Sequence, residues 1–226
     1  MKKSLIIPVE NQVREFDPKL LLACIAARRG FSALIGSRWE IDNRIASFER
    51  SVYLSKSMTA RGGKMFQIMR KIGHEIVAWD EEALVHLPPE TFFSRRISPT
   101  GIKHVSHLFA WGQDNADLWR QYPHLSPRTP IHITGNPRGD MLRPEMRNFY
   151  GREVKTIQKT HGEFILINTN VNHVNAFYPH QNLFMPVKNP GEEPRLGKAA
   201  RGMIRDIAEG LRVHKQAIFP AIKKLI

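Results

Sequence analysis

The opening of the chain restricts its fold more than any other part: an apolar run, a helical stretch and a second apolar run succeed one another within residues 4–35. Ser4 to Val9 (SLIIPV) is almost continuously apolar, the pattern of a strand covered on both faces in a parallel sheet. Asp17-Pro18 then offers a helix N-cap followed by proline at the first helical position. Leu20, Leu21, Cys24 and Ile25 recur at helical spacing, Arg28 and Arg29 fall in the last turn, and Gly30 ends the helix. Phe31 to Ile35 is the next strand. Parallel neighbours need a crossover connection, so this is a βαβ unit, and such units are right-handed in nearly all cases.

The alternation persists. Val52 to Leu54 reads as a third strand, residues 60–72 as a helix with Met65, Ile68, Met69 and Ile72 on one face, and Glu75 to Trp79 as a fourth strand. His107 to Trp111 and Ile131 to Ile133 supply a fifth and a sixth. Strands alternating with helices predict the α/β class, as a Rossmann-like, doubly wound parallel sheet over residues 1–143. A polar helix follows in a linker, 144–162, and Phe164 to Ile167 opens a second lobe over 163–226. Four prolines mark 176–195 as a long loop, and 196–224 carries an amphipathic helical pattern. One strand and one helix cannot cover their own apolar faces, so the second lobe is expected to be incomplete in this chain.

Composition narrows the classes. With 226 residues, 42% of them apolar, the chain is long enough for one full core and part of another. A single cysteine excludes a disulfide framework, and its helical position predicts that Cys24 packs in the core. No run reaches the ~18 apolar residues of a membrane helix, and Glu10, Asn11 and Arg14 end the first apolar stretch too early for a signal peptide. A cytoplasmic protein is expected. The net charge of +13 is spread along the chain without a basic arm or block. That pattern disfavours nucleic acid and fits work beside an anionic inner membrane or on anionic substrates.

In an open parallel sheet, ligands bind beyond the carboxyl ends of the strands. The residues expected there are Glu10, Asn11 and Arg14 after the first strand; Gly36, Ser37 and Arg38 after the second; and Ser55, Lys56 and Ser57 after the third. Asp80, Glu81 and Glu82 follow the fourth, Gly112 and Gln113 the fifth, and Gly135, Asn136 and Arg138 the sixth. Glu10 is the candidate general base, since partial burial at a strand end would raise its pKa; the plainer role is to cap a helix or pair with Arg14. The Asp80-Glu81-Glu82 cluster either binds hydroxyls or a divalent ion, or caps the following segment. Gly62-Gly63-Lys64 near a helix start is placed to cradle a phosphate, although it is no Walker A motif. There is no GxGxxG after the first strand, no GxSxG, and no spaced metal-ligand set, so neither a dinucleotide cofactor nor a metal is expected.

Five segments carry a resemblance: IIPVENQVREFDPKLLLACIAARRGF (6–31), IVAWDEEAL (76–84), FAWGQ (109–113), ITGNPRGDMLRPE (133–145) and FILINTN (164–170). In these the chain resembles the bacterial surface carbohydrate (surface polysaccharide) biosynthesis proteins, which are glycosyltransferase-like and built as two Rossmann lobes in the GT-B arrangement. The resemblance departs at Ala83, where glycine is usual, and at Val171, where an aromatic is common. It implies an N-terminal lobe for a glycan or lipid-linked acceptor and a C-terminal lobe for a nucleotide-sugar donor, a co-substrate, with no separate cofactor. Glu10, Asp80 or Glu81 would handle the acceptor hydroxyl. Asn11, Arg14, Ser37, Ser57, Glu82 and Gly112 would line the acceptor side; Gly135, Asn136, Arg138, Asn168 and Asn170 would face the donor. Family members run on past this chain's last residue, so activity of the chain alone is in question. A sugar-nucleotide epimerase or polyol-phosphate transferase of the same fold, and a non-catalytic RNA- or partner-binding protein, are the competing functions.

Overall fold

The computed structural model describes residues 3–84, 87–166, 189 and 213. The chain divides into two compact units, Met1–Ile157 and Gln158–Ile226. In the first, β1 (Ser4–Val9), α1 (Gln12–Arg28), β2 (Ser32–Ser37) and α2 (Arg38–Asn43) lead to β3 (Val52–Ser55), α3 (Ala60–Lys71) and β4 (Glu75–Ala78). Then come α4 (Pro89–Arg96), α5 (Pro99–Ile102), β5 (Val105–Ala110), α6 (Gln113–Arg120), β6 (Ile131–Ile133), α7 (Pro137–Asp140), a 3-10 stretch Pro144–Tyr150 and α8 (Gly151–His161).

The six strands form one sheet in the order β2-β1-β3-β4-β5-β6, and every pair is parallel. This is the expected Rossmann-like, doubly wound α/β lobe. The chain steps from β1 outward to β2 and then returns to β3 on the other side of β1, so the topological switch lies between β1 and β3. Strand alternation divides the core between the two faces. Ile6, Tyr53, Ile76, Ala78, Leu108 and Ala110 enter the larger cluster with Phe66, Met69, Phe92 and Trp119. Ile7, Leu54, Val77 and Trp79 enter the smaller one, which Ala23 of α1 covers.

Several local expectations give way. Helix α1 begins at Gln12, capped by the Asn11 side chain, and Pro18 lies inside it. The early start brings Glu15 and Lys19 onto the buried face one turn apart, where they form an ion pair that would be lost if the helix began at Pro18. The buried side of α1 is therefore Glu15, Pro18, Lys19, Ala23 and Ala26, and Cys24 is exposed instead of packed in the core. In α3 the buried face is Gly62, Gly63, Phe66 and Met69, with Ile68 and Ile72 turned outward. A Cβ on Gly63 would lie 2.8 Å from the Thr100 hydroxyl, so this glycine allows the close packing of α3 on α5. The linker expected as one helix is a 3-10 stretch and then α8, and Phe164–Leu166 form no strand. Ile167, Asn168, Asn170 and Val171, and the expected loop and helix over 176–224 apart from residues 189 and 213, lie outside the described residues.

Candidate functional site

The carboxyl ends of β1, β3 and β4 converge on a network of charges. Glu15, fully buried at the first turns of α1, is its centre. Its Oε2 accepts from the Glu10 backbone N–H at 3.0 Å and from Lys19 Nζ at 2.9 Å. Its Oε1 accepts from Lys56 Nζ at 2.8 Å and faces Arg14 Nη2 at 3.4 Å. Lys19, equally buried, also donates to the Pro8 carbonyl at 2.8 Å and lies 3.4 Å from Glu81 Oε1. Burial pushes the Glu15 carboxyl up, but the Glu10 N–H and the Lys56 and Lys19 ammoniums outweigh it and bring its pKa down to about 2. A buried charge this well supplied with donors is stable as an ion.

The network extends outward from that centre. Arg14 reaches Glu82 at 3.0 Å; Arg138 donates to the Glu81 carbonyl at 2.9 Å, with the Glu81 carboxylate 3.6 Å away. Asp80 is buried, pairs with Arg96, and accepts the Glu82 N–H at 3.0 Å, so it shapes the turn after β4. The Trp111 indole N–H donates to the Asp80 carbonyl at 2.6 Å, and the Arg138 guanidinium lies 5.8 Å from the Trp111 ring centroid. Arg38 reaches Glu10 at 2.9 Å and Asp42 at 3.4 Å, and Lys56 pairs with Glu10 as well. Arg14, Lys19, Arg38, Lys56, Arg96 and Arg138 thus meet Glu10, Glu15, Asp42, Asp80, Glu81 and Glu82, and the cluster is neutral as a whole.

Within this cluster Glu10 is reachable. Its side chain is 49% exposed, and it lines a cavity of about 400 Å³ with Ser37, Arg38, Trp39, Asp42 and Arg61. Trp39, 70% exposed, stands in the same wall. Burial raises the Glu10 pKa, but hydrogen bonds and charge from Lys56, and then Arg38, outweigh it, and the net direction is downward. This is the reverse of the rise expected from the sequence: the strand end desolvates Glu10 only in part, and two cations sit against it.

The other expected residues distribute as follows. Asn11 uses its side chain to cap α1 at Arg14 N–H, and Ser57 lends its carbonyl to the Ser55 hydroxyl. Asp80 and Glu81 are buried, while Glu82 stays partly accessible. Gly112 caps α6. Asn136 caps α7, and with Gly135 lines a separate, mostly apolar cavity of about 550 Å³ against Leu54, Val77 and Trp79. Gly135 has φ +75°, a left-handed turn that favours glycine. Arg138 alone of the β6 group joins the charged cluster.

Sequence reasoning passed over Glu15, Lys19 and Trp39. The Asp17-Pro18 signal, taken as the helix start, hid the helical turn that holds Glu15 and with it the pairing of Glu15 with Lys19. The available clue was a tryptophan directly after a strand end at Ser37-Arg38.

Among the described residues, no group of three or more His, Cys, Asp or Glu side chains is placed to hold a metal ion. Likewise, no helix among them is long and apolar enough to cross a membrane. Compared with family models, with curated proteins and with solved structures, the chain matches none, so its α/β fold and the geometry of this crevice are what a functional reading rests on.

Proposed function

We propose that this chain carries the acceptor lobe of a GT-B-type glycosyltransferase of surface polysaccharide assembly, with the acceptor sugar in the cavity beside Glu10. The observation that carries the reading is an accessible carboxylate and an exposed tryptophan lining one open cavity next to the switch point. A pyranose ring presents a C–H face and a rim of hydroxyls; an indole and a set of paired charged side chains complement both. The neutrality of the cluster supports a hydroxyl-bearing ligand here over a phosphate, which would call for unbalanced cations.

The chemistry follows from the charge state. Glu10 is ionised at neutral pH, held so by Lys56 and Arg38. An entering acceptor hydroxyl donates to the carboxylate in place of one of these cations. Loss of that cation and exclusion of water raise the basicity of Glu10 as the hydroxyl attacks the sugar carbon of the donor. The C–O bond to the departing nucleoside phosphate breaks, the new glycosidic C–O bond forms, and the acceptor proton passes to Glu10.

The test is nucleotide release from UDP-, GDP-, CDP- and CMP-sugars in the presence of glycan acceptors, with product analysis. A transferred sugar is expected with one donor class. Glu10→Gln should lower kcat by about 10²–10⁴-fold with the folded state intact, and Trp39→Ala should act mainly on the acceptor KM. Turnover that ignores Glu10→Gln overturns the proposal; an isomerised nucleotide sugar as product favours the epimerase instead.

A further inference from the structure

A second pocket, of about 290 Å³, opens at the same end of the sheet and shares Arg14 with the charged cluster. Its rim is unlike the rest of the surface. Val13, Leu142 and Leu84 are 98%, 83% and 66% exposed, and all three line this one pocket. Single exposed aliphatic residues are ordinary; three around one opening form a patch that water solvates poorly. Arg14 and Arg138, paired with Glu82 and Glu81, stand inside the rim with Asp17, and Trp111 forms part of the wall.

We infer that this rim seats in the surface of an anionic lipid bilayer. Aliphatic knobs enter the boundary between headgroups and acyl chains, and the amphipathic indole suits that depth. Val13 lies in the first turn of α1, Leu84 follows β4 and Leu142 follows α7, so the three knobs come from three separate segments of the lobe. The chain's net charge of +13 supplies long-range attraction to anionic lipid, which a sugar-binding patch or an interface between two copies of this basic chain would not use. The contact is peripheral, and it would present the neighbouring Glu10 crevice to molecules carried in the membrane.

The inference is read without donor, acceptor or turnover, so its outcome is separate from that of the transferase proposal. The full chain is floated with vesicles of phosphatidylcholine alone and with vesicles containing phosphatidylglycerol, at low and high salt. Binding is expected on the phosphatidylglycerol vesicles, weakened by salt. Val13→Asp with Leu142→Asp should reduce the partition coefficient at least about tenfold, since each knob removed from the boundary forfeits the burial of an aliphatic side chain. Both positions are exposed, so the variants fold; circular dichroism checks this, and Val13→Ala with Leu142→Ala gives a smaller loss in the same direction. Equal flotation of wild type and the aspartate variant overturns the inference, as does absence of binding to either vesicle. A wild-type dimer that the aspartate variant dissociates also overturns it, assigning the patch to self-association.

Discussion

Glu10 and Glu15 stand five positions apart, touch the same lysine, and live in different worlds. Glu15 is sealed under α1 with Lys19, Lys56 and a backbone N–H around it; Glu10 is half in water, on the wall of an open cavity. Both carboxyls are held below their ordinary range, and in both burial opposes the shift while cations produce it. What differs is the cost of losing a partner. Water cannot reach Glu15 or Lys19 to compensate, whereas it reaches Glu10 at once. The same residue type therefore fastens the sheet end at one position and remains available for a ligand at the other.

The sharpest way to break the comparison is truncation. Glu15→Ala leaves Lys19 buried without its carboxylate and should cost about 3–5 kcal/mol in urea unfolding, whereas Glu10→Ala should cost under about 1 kcal/mol. Equal losses would mean that Glu10 is as structural as Glu15, and would remove the basis for its proposed chemistry.

Acid titration sharpens it further. The folded pKa of Glu15, about 2, lies below its ordinary 4.5, so its contribution to stability is complete above pH 4.5 and fades as pH falls through that window to about 2. Unfolding free energy measured from pH 5 to pH 2 should decline in the wild type with a slope of up to ~1.4 kcal/mol per pH unit from this group alone. In Glu15→Gln that share of the slope should vanish, leaving a less stable but flatter profile. An unchanged slope would assign the acid sensitivity to other carboxyls.

The smallest effect concerns α1's outer face, the counterpart of its sealed one. Exposed Cys24 should react with a thiol reagent in the native state at a rate close to that of the unfolded chain, and Cys24→Ser should change stability by no more than about 0.5 kcal/mol. Slow labelling would mean that the helix turns a different face to the sheet.

Much of the lobe was legible residue by residue. The runs at Ser4–Val9 and Ile131–Ile133 are strands as expected, and the other four strands agree to within a few residues. The errors cluster on helices. On α1 a strong local signal at Asp17-Pro18 lost to Asn11, because the earlier start secures the Glu15–Lys19 pair beneath the helix. On α3 the apolar stripe through Ile68 and Ile72 lost to the face of Gly62, Gly63 and Phe66, where Gly63 lets α5 approach closely. The placement of Glu10, Arg14, Arg38, Lys56 and Glu82 at strand ends was readable from the strand positions. Their pairing was not.

The sequence by itself determined the α/β alternation, the approximate position of each strand and the residues that follow each strand's carboxyl end. These are properties of neighbours along the chain: apolar runs, crossover lengths and the punctuation of glycine and proline. The tertiary structure decided the strand order, the switch between β1 and β3, and which carboxylates are sealed and which are open. Lys56 meets Glu15 across 41 positions, and Arg14 meets Glu82 across 68. Burial and pairing over such separations arise only when the sheet assembles, because desolvation belongs to the folded surroundings of a group and not to its neighbours in sequence.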